Sequence, residues 1–439
     1  MIAAIVFVWL AVSPDGTTPL HRAAQADDLA AARRLLAEGA DAKAVNRYGV
    51  TPLSLAATNG SASMIESLLK HGADPNFALP GGETPLMTAS RTGRVSAVRA
   101  LLAAGAKVEA KEPRFGQTAV HWAAAEGHAE VVAELIRAGA DFRIRLDSGF
   151  TPFLFAVREG RIEAARALLD AGVDVDETVE PLPNAVRKPV GVPRAGVSAL
   201  ALAVTNAHFD LASFLLDRGA DPNAARCGYT ALHSISDVRK PGVGDNNPPP
   251  DGSGRLSGLE MVERLVAKGA NVNARMTRGV KFGMTGINTL GATPFFLAAK
   301  TADAPLMRLL AKLGADPKLG NADNATPLMA AAGLGTRSPG EDAGTEPEVV
   351  EALAVALELG NDIDAVDQNG ETAMHGAAYK NSPMAVEFLV ARGANPAVWN
   401  RPNKRGWTPL TIAQGTRFGN FKPSPPTVSA IEKALAKTR

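Results

Sequence analysis

The 439-residue sequence predicts an all-α solenoid of stacked helix pairs rather than the roughly three globular domains its length alone suggests. Three observations predict it. A Thr-Pro-Leu signature, or a near variant, recurs at Thr18, Thr51, Thr84, Thr118, Thr151, Ser198, Thr230, Thr293, Thr326, Thr372 and Thr408, most often 33 residues apart. A Gly-Ala-Asp or Gly-Ala-Asn landmark follows in phase at Gly39, Gly72, Gly139, Gly219, Gly269, Gly314 and Gly393. Ala, Leu and Gly abound while aromatics make up only 5%, a bias toward small helices that stack closely.

Each part of the unit has a physical reason. The threonine hydroxyl caps a helix, and proline at the next position suits the first helical turn. Leu20, Ala23 and Ala24 then give a short helix with a small face. The second helix carries an apolar stripe such as Val131, Val132, Leu135 and Ile136 at helical spacing. Gly139 ends it where a left-handed residue is wanted. One such pair cannot bury its own apolar face, so units must stack.

The run Thr118-Ala119-Val120-His121-Trp122-Ala123-Ala124, continued by Gly127-His128-Ala129-Glu130-Val131-Val132, carries a specific resemblance. The chain resembles a bacterial-style ankyrin-repeat protein, with ten full repeats and a partial C-terminal repeat between about Asp15 and Gly415. That resemblance implies helix-turn-helix repeats with β-hairpin finger loops. At 8–10 Å per helix layer, eleven units would form a curved rod on the order of 100 Å long.

The predicted organisation is an apolar N-terminal segment at 1–13, repeats over 14–415 and a C-terminal capping tail at 416–439. Residues 1–12 hold no charge and are too short to span a bilayer, which takes about 20 residues. They read either as a signal-peptide core, which places the protein in the periplasm, or as an N-terminal strand or helix of a cytoplasmic protein. Insertions fall at 176–197, 237–256, 275–292 and 333–344. The first and third lie in fingers and are basic. The second and fourth lie between the helices of a unit, and the fourth is acidic, with Glu341 and Asp342 followed by Glu346 and Glu348. Capping pairs Ser257 with Glu260, and Thr345 with Glu348, restart the helices beyond them. Because paired helices run antiparallel, the two kinds of insert are expected on opposite edges of the stack.

Composition and motifs exclude much chemistry. Forty-six Lys+Arg against 45 Asp+Glu give a net charge of +1, which argues against nucleic-acid or membrane-surface binding. Cys227 is the only cysteine, so disulfides, redox pairs and cysteine zinc cages are out. His21, His121, His233 and His375 sit in the Thr-Pro-Leu-His register, where the resemblance implies bonding between repeats; His128 and His208 open second helices. No phosphate loop, nucleophile elbow or metalloprotease motif is present. The reading is a non-enzyme with no cofactor and no metal site.

The resemblance implies that partners bind finger tips and the exposed ends of first helices. Those positions nominate Arg47, Tyr48, Arg91, Arg114, Phe115, Phe150, Arg158, Arg194, Arg226, Tyr229, Lys300, Tyr379, Lys404, Arg405 and Trp407, together with Trp122 one turn earlier. Arginine beside aromatics is the pairing that dominates binding hot spots. The expected function is a monomeric interaction scaffold gripping an acidic or extended polar protein segment. The alternative is a small-ligand or glycan receptor with a pocket built by the inserts. Two departures from the repeat pattern stand out: Asn324 where a glycine belongs, and Gly376 inside a first helix, which costs about 1 kcal/mol relative to Ala.

Overall fold

The computed structural model describes residues 12–181, 195–242, 250–280, 286–417, 419 and 422–437. The apolar segment 1–11, Arg194 and the central parts of the first three inserts lie outside the described residues. The chain divides into two compact units, 1–195 and 196–439, so the rod length counted over eleven repeats applies to neither.

The first unit runs at the regular period. Its described residues form five helix pairs, from Pro19–Gln25 with Leu29–Ala37 to Pro152–Arg158 with Ile162–Asp170. First helices pack on first helices and second on second. The first helices bury alanines, including Ala56, Ala57, Ala123, Ala124 and Ala156, whose small side chains let neighbouring axes approach. The second helices bury stripes such as Met64, Ile65 and Leu68, or Val131, Val132 and Leu135. Each fully buried large apolar side chain contributes about 1.5–3 kcal/mol.

The capping logic read from the sequence is visible atom by atom. Thr18 Oγ1 accepts from His21 N–H at 3.3 Å while Thr18 N–H donates to His21 Nδ1 at 3.2 Å. That leaves His21 Nε2 to donate to the Val50 carbonyl of the next repeat at 3.0 Å. His233 repeats the arrangement, donating to Ala274 O at 3.0 Å. At His21 and His233 the imidazole therefore links one repeat to the next in a single neutral tautomer. Burial holds the pKa of His121, His233 and His375 down to about 4, and protonation would also place a proton on Nδ1 facing the threonine N–H.

The second unit uses the same pairs with interruptions. They run from Ala199–Thr205 with Phe209–Asp217 to Ala373–Lys380 with Pro383–Ala391. The last layer pairs Pro409–Ala413 with Pro425–Ala436, and this final helix packs on Pro383–Ala391. Asn324 adopts φ 59°, the left-handed turn the missing glycine would have supplied.

The inserts of this unit do not keep to opposite edges, and here the expectation is corrected. Gly286 N–H, in the finger insert, donates to Gly335 O, in the inter-helix insert, at 2.7 Å. A Cβ on Gly335 would lie 2.5 Å from the Ile287 nitrogen, so only glycine lets the two backbones meet. The 333–344 segment turns back along the inner face of the first helices instead of projecting from its own edge. Gly376 is explained by the same turn: its Cβ would fall 2.9 Å from the Leu334 nitrogen. The helix accepts a poorer residue so that the insert can start against it.

Candidate interaction surface

Several fingers are shaped by one side chain each, while those at Leu79 and Leu146 close through the leucine's own backbone bonds. Asn46 Oδ1 accepts from Tyr48 N–H and Val50 N–H, both at 3.0 Å, which folds the tip and presents Arg47 and Tyr48 outward. Glu112 does the same for Phe115 and Gln117, at 2.8 and 3.1 Å. Asn403 does it for Arg405 and Trp407, at 3.0 Å each. The sequence reading missed these turn organisers. Their signal was an Asn, Asp or Glu standing four or five residues before the end of each tip, a side chain that bonds its own backbone two residues on.

On this frame the arginines of the first unit lie over rings. The Arg47 guanidinium stands 4.7 Å from the Tyr48 ring centre, and Arg114 stands 4.9 Å from Phe115. Arg91 lies 5.5 Å from Trp122 of the next repeat, so that pair ties two first helices together. Arg158 covers both Phe150 and Phe155, at 5.2 and 4.6 Å. Tyr48 is 56% exposed and Phe115 51%, and Arg47, Arg91 and Arg114 are exposed as well. Trp122 and Arg158 are half-buried. A guanidinium over a ring has its rotamers already restricted; Arg47 also donates to the Tyr48 hydroxyl, and Arg158 donates from Nε to Glu159 Oε1 at 2.7 Å. Similar stacks at Arg143–Phe142, Arg218–Phe214 and Arg392–Phe388 lie away from the finger tips and first helices, so stacking alone does not mark the surface.

Burial corrects three of the nominated contacts. Phe150 is 2% exposed because its ring packs on Phe155 and under Arg158; it supports the arginine rather than touching a partner. Lys300 and Tyr379 are each 6% exposed: Asp342 of the 333–344 insert lies against Lys300, and Tyr379 packs against the fingers at Glu371 and Asn403. The Tyr379 hydroxyl instead donates to Glu371 Oε1 at 2.8 Å.

In the second unit, Arg226, Lys404 and Arg405 are exposed, while Tyr229 and Trp407 are half-buried. Arg405 lies 5.6 Å from the Trp407 ring centre. Cys227 is buried, its Sγ donates to Tyr229 O at 3.2 Å, and burial pushes its thiol pKa up, which is the environment of an inert thiol. A polar cleft of about 250 Å³ lies between the insert at Thr336–Arg337 and the fingers at Asn369–Glu371 and Asn403–Arg405. Its floor is Glu371, whose Oε1 also accepts from Asn403 Nδ2 at 2.8 Å; burial raises the carboxyl pKa above its ordinary range.

Among the described residues, no three His, Cys, Asp or Glu side chains are grouped so as to hold a metal ion, and no helix is long and apolar enough to cross a membrane.

Family profiles described as ankyrin repeats match residues 20–112, 86–179 and 357–413, and a single-repeat profile matches 195–226, together more than half of the chain. The chain is an ankyrin-repeat protein. This ankyrin chain is 26% identical over 295 residues to the E3 ubiquitin-protein ligase KEG of Arabidopsis thaliana, which covers 60% of this chain and 16% of that protein. It is 29% identical over 218 residues to the B-cell lymphoma 3 protein homolog of Mus musculus, covering 49% of this chain and 40% of that one. The crystal structure of the human ASB11 ankyrin repeat domain matches at 22% identity and a TM-score of 0.44, over 58% of this chain and 99% of that chain. The chain spans less than half the length of these curated relatives. Ankyrin repeats imply protein partners, and the fold is that of an interaction scaffold.

Proposed function

We propose that this ankyrin protein is a non-catalytic scaffold whose first unit grips an acidic or extended polar segment of a partner protein. The observation that carries the reading is the row of arginines held over rings along fingers and first-helix ends, at Arg47, Arg91, Arg114 and Arg158. Each is pre-oriented by its ring, and Arg158 also by its pair with Glu159, so little rotamer entropy remains to be lost on binding a partner's carboxylate. The absence of catalysis is supported by the roles of the histidines: His21, His121, His233 and His375 have Nδ1 committed to their capping threonines. Crosslinking mass spectrometry on the native protein tests the proposal. Partner crosslinks should cluster on residues 47–48, 91, 114–115 and 158, and R47A/R91A/R114A/R158A should abolish them with the circular dichroism spectrum unchanged. Crosslinks that persist in that folded variant would refute it.

The cleft above Glu371 favours a second reading, a receptor for a small polar ligand. A thermal-shift screen of sugars and other small polar compounds against the wild type and E371Q separates the two. A rise in melting temperature seen only with the wild type would support the receptor.

A further inference from the structure

The second unit already holds an acidic segment on its inner face, and that segment is its own. Lys300 closes the helix Pro294–Lys300, and Lys380 closes Ala373–Lys380. Between them lies Asp342 of the insert, with the Lys300 ammonium 3.9 Å from Oδ1 and the Lys380 ammonium 3.9 Å from Oδ2. Lys380 Nζ also donates to the backbone carbonyls of Asp342, at 3.0 Å, and of Ala343. Thr336 Oγ1 donates to Asp342 Oδ2 at 2.8 Å, folding the insert around its own carboxylate. All three charged side chains are close to fully buried. Further along, Ser382 Oγ and Met384 N–H donate to Glu346 Oε2, and Lys240 pairs with Glu348.

Three features separate this seat from ordinary core packing. The lysines recognise one carboxylate and two successive carbonyls, presented by a turn in which Glu341 N–H and Asp342 N–H both donate to Ser338 O, and an acidic segment making the same turn offers the same groups. Among the described residues the two buried ammonium groups share Asp342 as their one carboxylate within 4 Å, with Glu348 acting on Lys380 from further away. At 3.9 Å neither reaches the 2.7–2.9 Å of a charge-assisted hydrogen bond, and Lys300 has no nearer partner among the described residues. The first unit stacks its first helices with no such strap, so the fold does not require one.

We propose that the Lys300–Lys380 seat is a docking site for an acidic, turn-forming segment of a partner protein, and that residues 335–344 occupy it in cis as a competitor. A segment carrying two carboxylates would satisfy both ammonium groups and bind the open seat better than the strap does. The strap is tethered at both ends, so its effective concentration is on the order of millimolar, and a partner must outcompete that. The proposal deepens the scaffold reading but uses none of the first-unit arginines.

A fluorescein-labelled peptide with the sequence of residues 334–348 serves as the probe. It should bind D342N at least tenfold more tightly than the wild type, because the cis occupant is weakened. Adding K300M and K380M should remove the gain. In the wild type, saturating peptide should speed hydrogen exchange at 335–343 and leave the fingers around Arg47 and Arg114 unchanged. Equal binding to wild type and folded D342N, or peptide protection confined to the first-unit fingers, would overturn the proposal. If D342N does not fold, the wild-type exchange decides alone: unchanged exchange at 335–343 overturns it. Loss of partner crosslinks in the four-arginine variant bears only on the first unit and leaves this result standing.

Discussion

Arg158 and Lys300 hold the same place in their repeats, seven residues after the capping threonine, and meet different fates. Arg158 closes its helix half-buried, stacked on Phe150 and Phe155 with its Nε donating to the adjacent Glu159 at 2.7 Å. Lys300 closes its helix at 6% exposure beneath a carboxylate brought by an insert that begins in the following repeat. Repeat register therefore specifies where a side chain emerges, not what it meets. The first unit keeps its period and its inner face is lined by arginine–aromatic pairs. The second breaks the period, and the added chain returns to lie on that face.

The caps of the second helices extend the contrast and yield the largest expected effect. Asp28 and Asp303 both accept from the helix start, at 2.9 Å from Ala31 N–H and 3.2 Å from Leu306 N–H. Asp28 is exposed, whereas Asp303 is fully buried and also accepts from Arg239 Nε and Nη2, at 2.7 and 3.1 Å. Removing one partner of a buried pair costs about 3–5 kcal/mol, so D303A should destabilise the second unit by that amount. D28A removes only a cap and should cost the first unit about 1 kcal/mol. Urea unfolding followed by hydrogen exchange in each unit measures both, and equal losses would erase the distinction.

Acid should act next. His233 and His375 of the second unit and His121 of the first are neutral when folded, with pKa held to about 4 by burial; the unfolded chain protonates them near 6.5. Their stabilisation is complete above 6.5 and is lost as pH falls toward 4, because only the unfolded state takes up the protons. Between pH 7 and pH 5 each should withdraw about 2 kcal/mol. Unfolding midpoints at the two pH values test it, and an H233Q chain should lose less of its second-unit stability on acidification.

The smallest expected change in stability sharpens the comparison from the other side. R47A and R114A remove solvent-exposed stacks at finger tips and should shift first-unit stability by no more than about 0.5 kcal/mol. A calorimetric loss above 1 kcal/mol would recast these arginines as staples between fingers.

Much of this was legible in residue order. Threonine caps, the histidine bridges at His21 and His233 and the alanine-lined first helices all follow from short-range chemistry repeated at a fixed period. The tips at Arg47, Tyr48, Arg114 and Phe115 were legible too, because a finger carries its own turn and places its residues without outside help. Phe150, Lys300 and Tyr379 were misread as solvent-exposed. In each case the covering group lies on another element: Arg158 in the helix beyond the finger, Asp342 of the insert for Lys300, and the fingers at Glu371 and Asn403 for Tyr379. Gly376 was the one local hint, a helix-weakening residue with no purpose until Leu334 packs against it.

By itself the sequence determined the repeat, its caps, its packing stripes and the side chains offered at every tip, because these depend on neighbours within one repeat or the next. Only the tertiary structure decided which of those side chains stay in water. That depends on where a few dozen non-repeating residues fold back, and their course is set by long-range meetings such as Gly286 with Gly335 and Asp342 with two lysines, for which no local period exists.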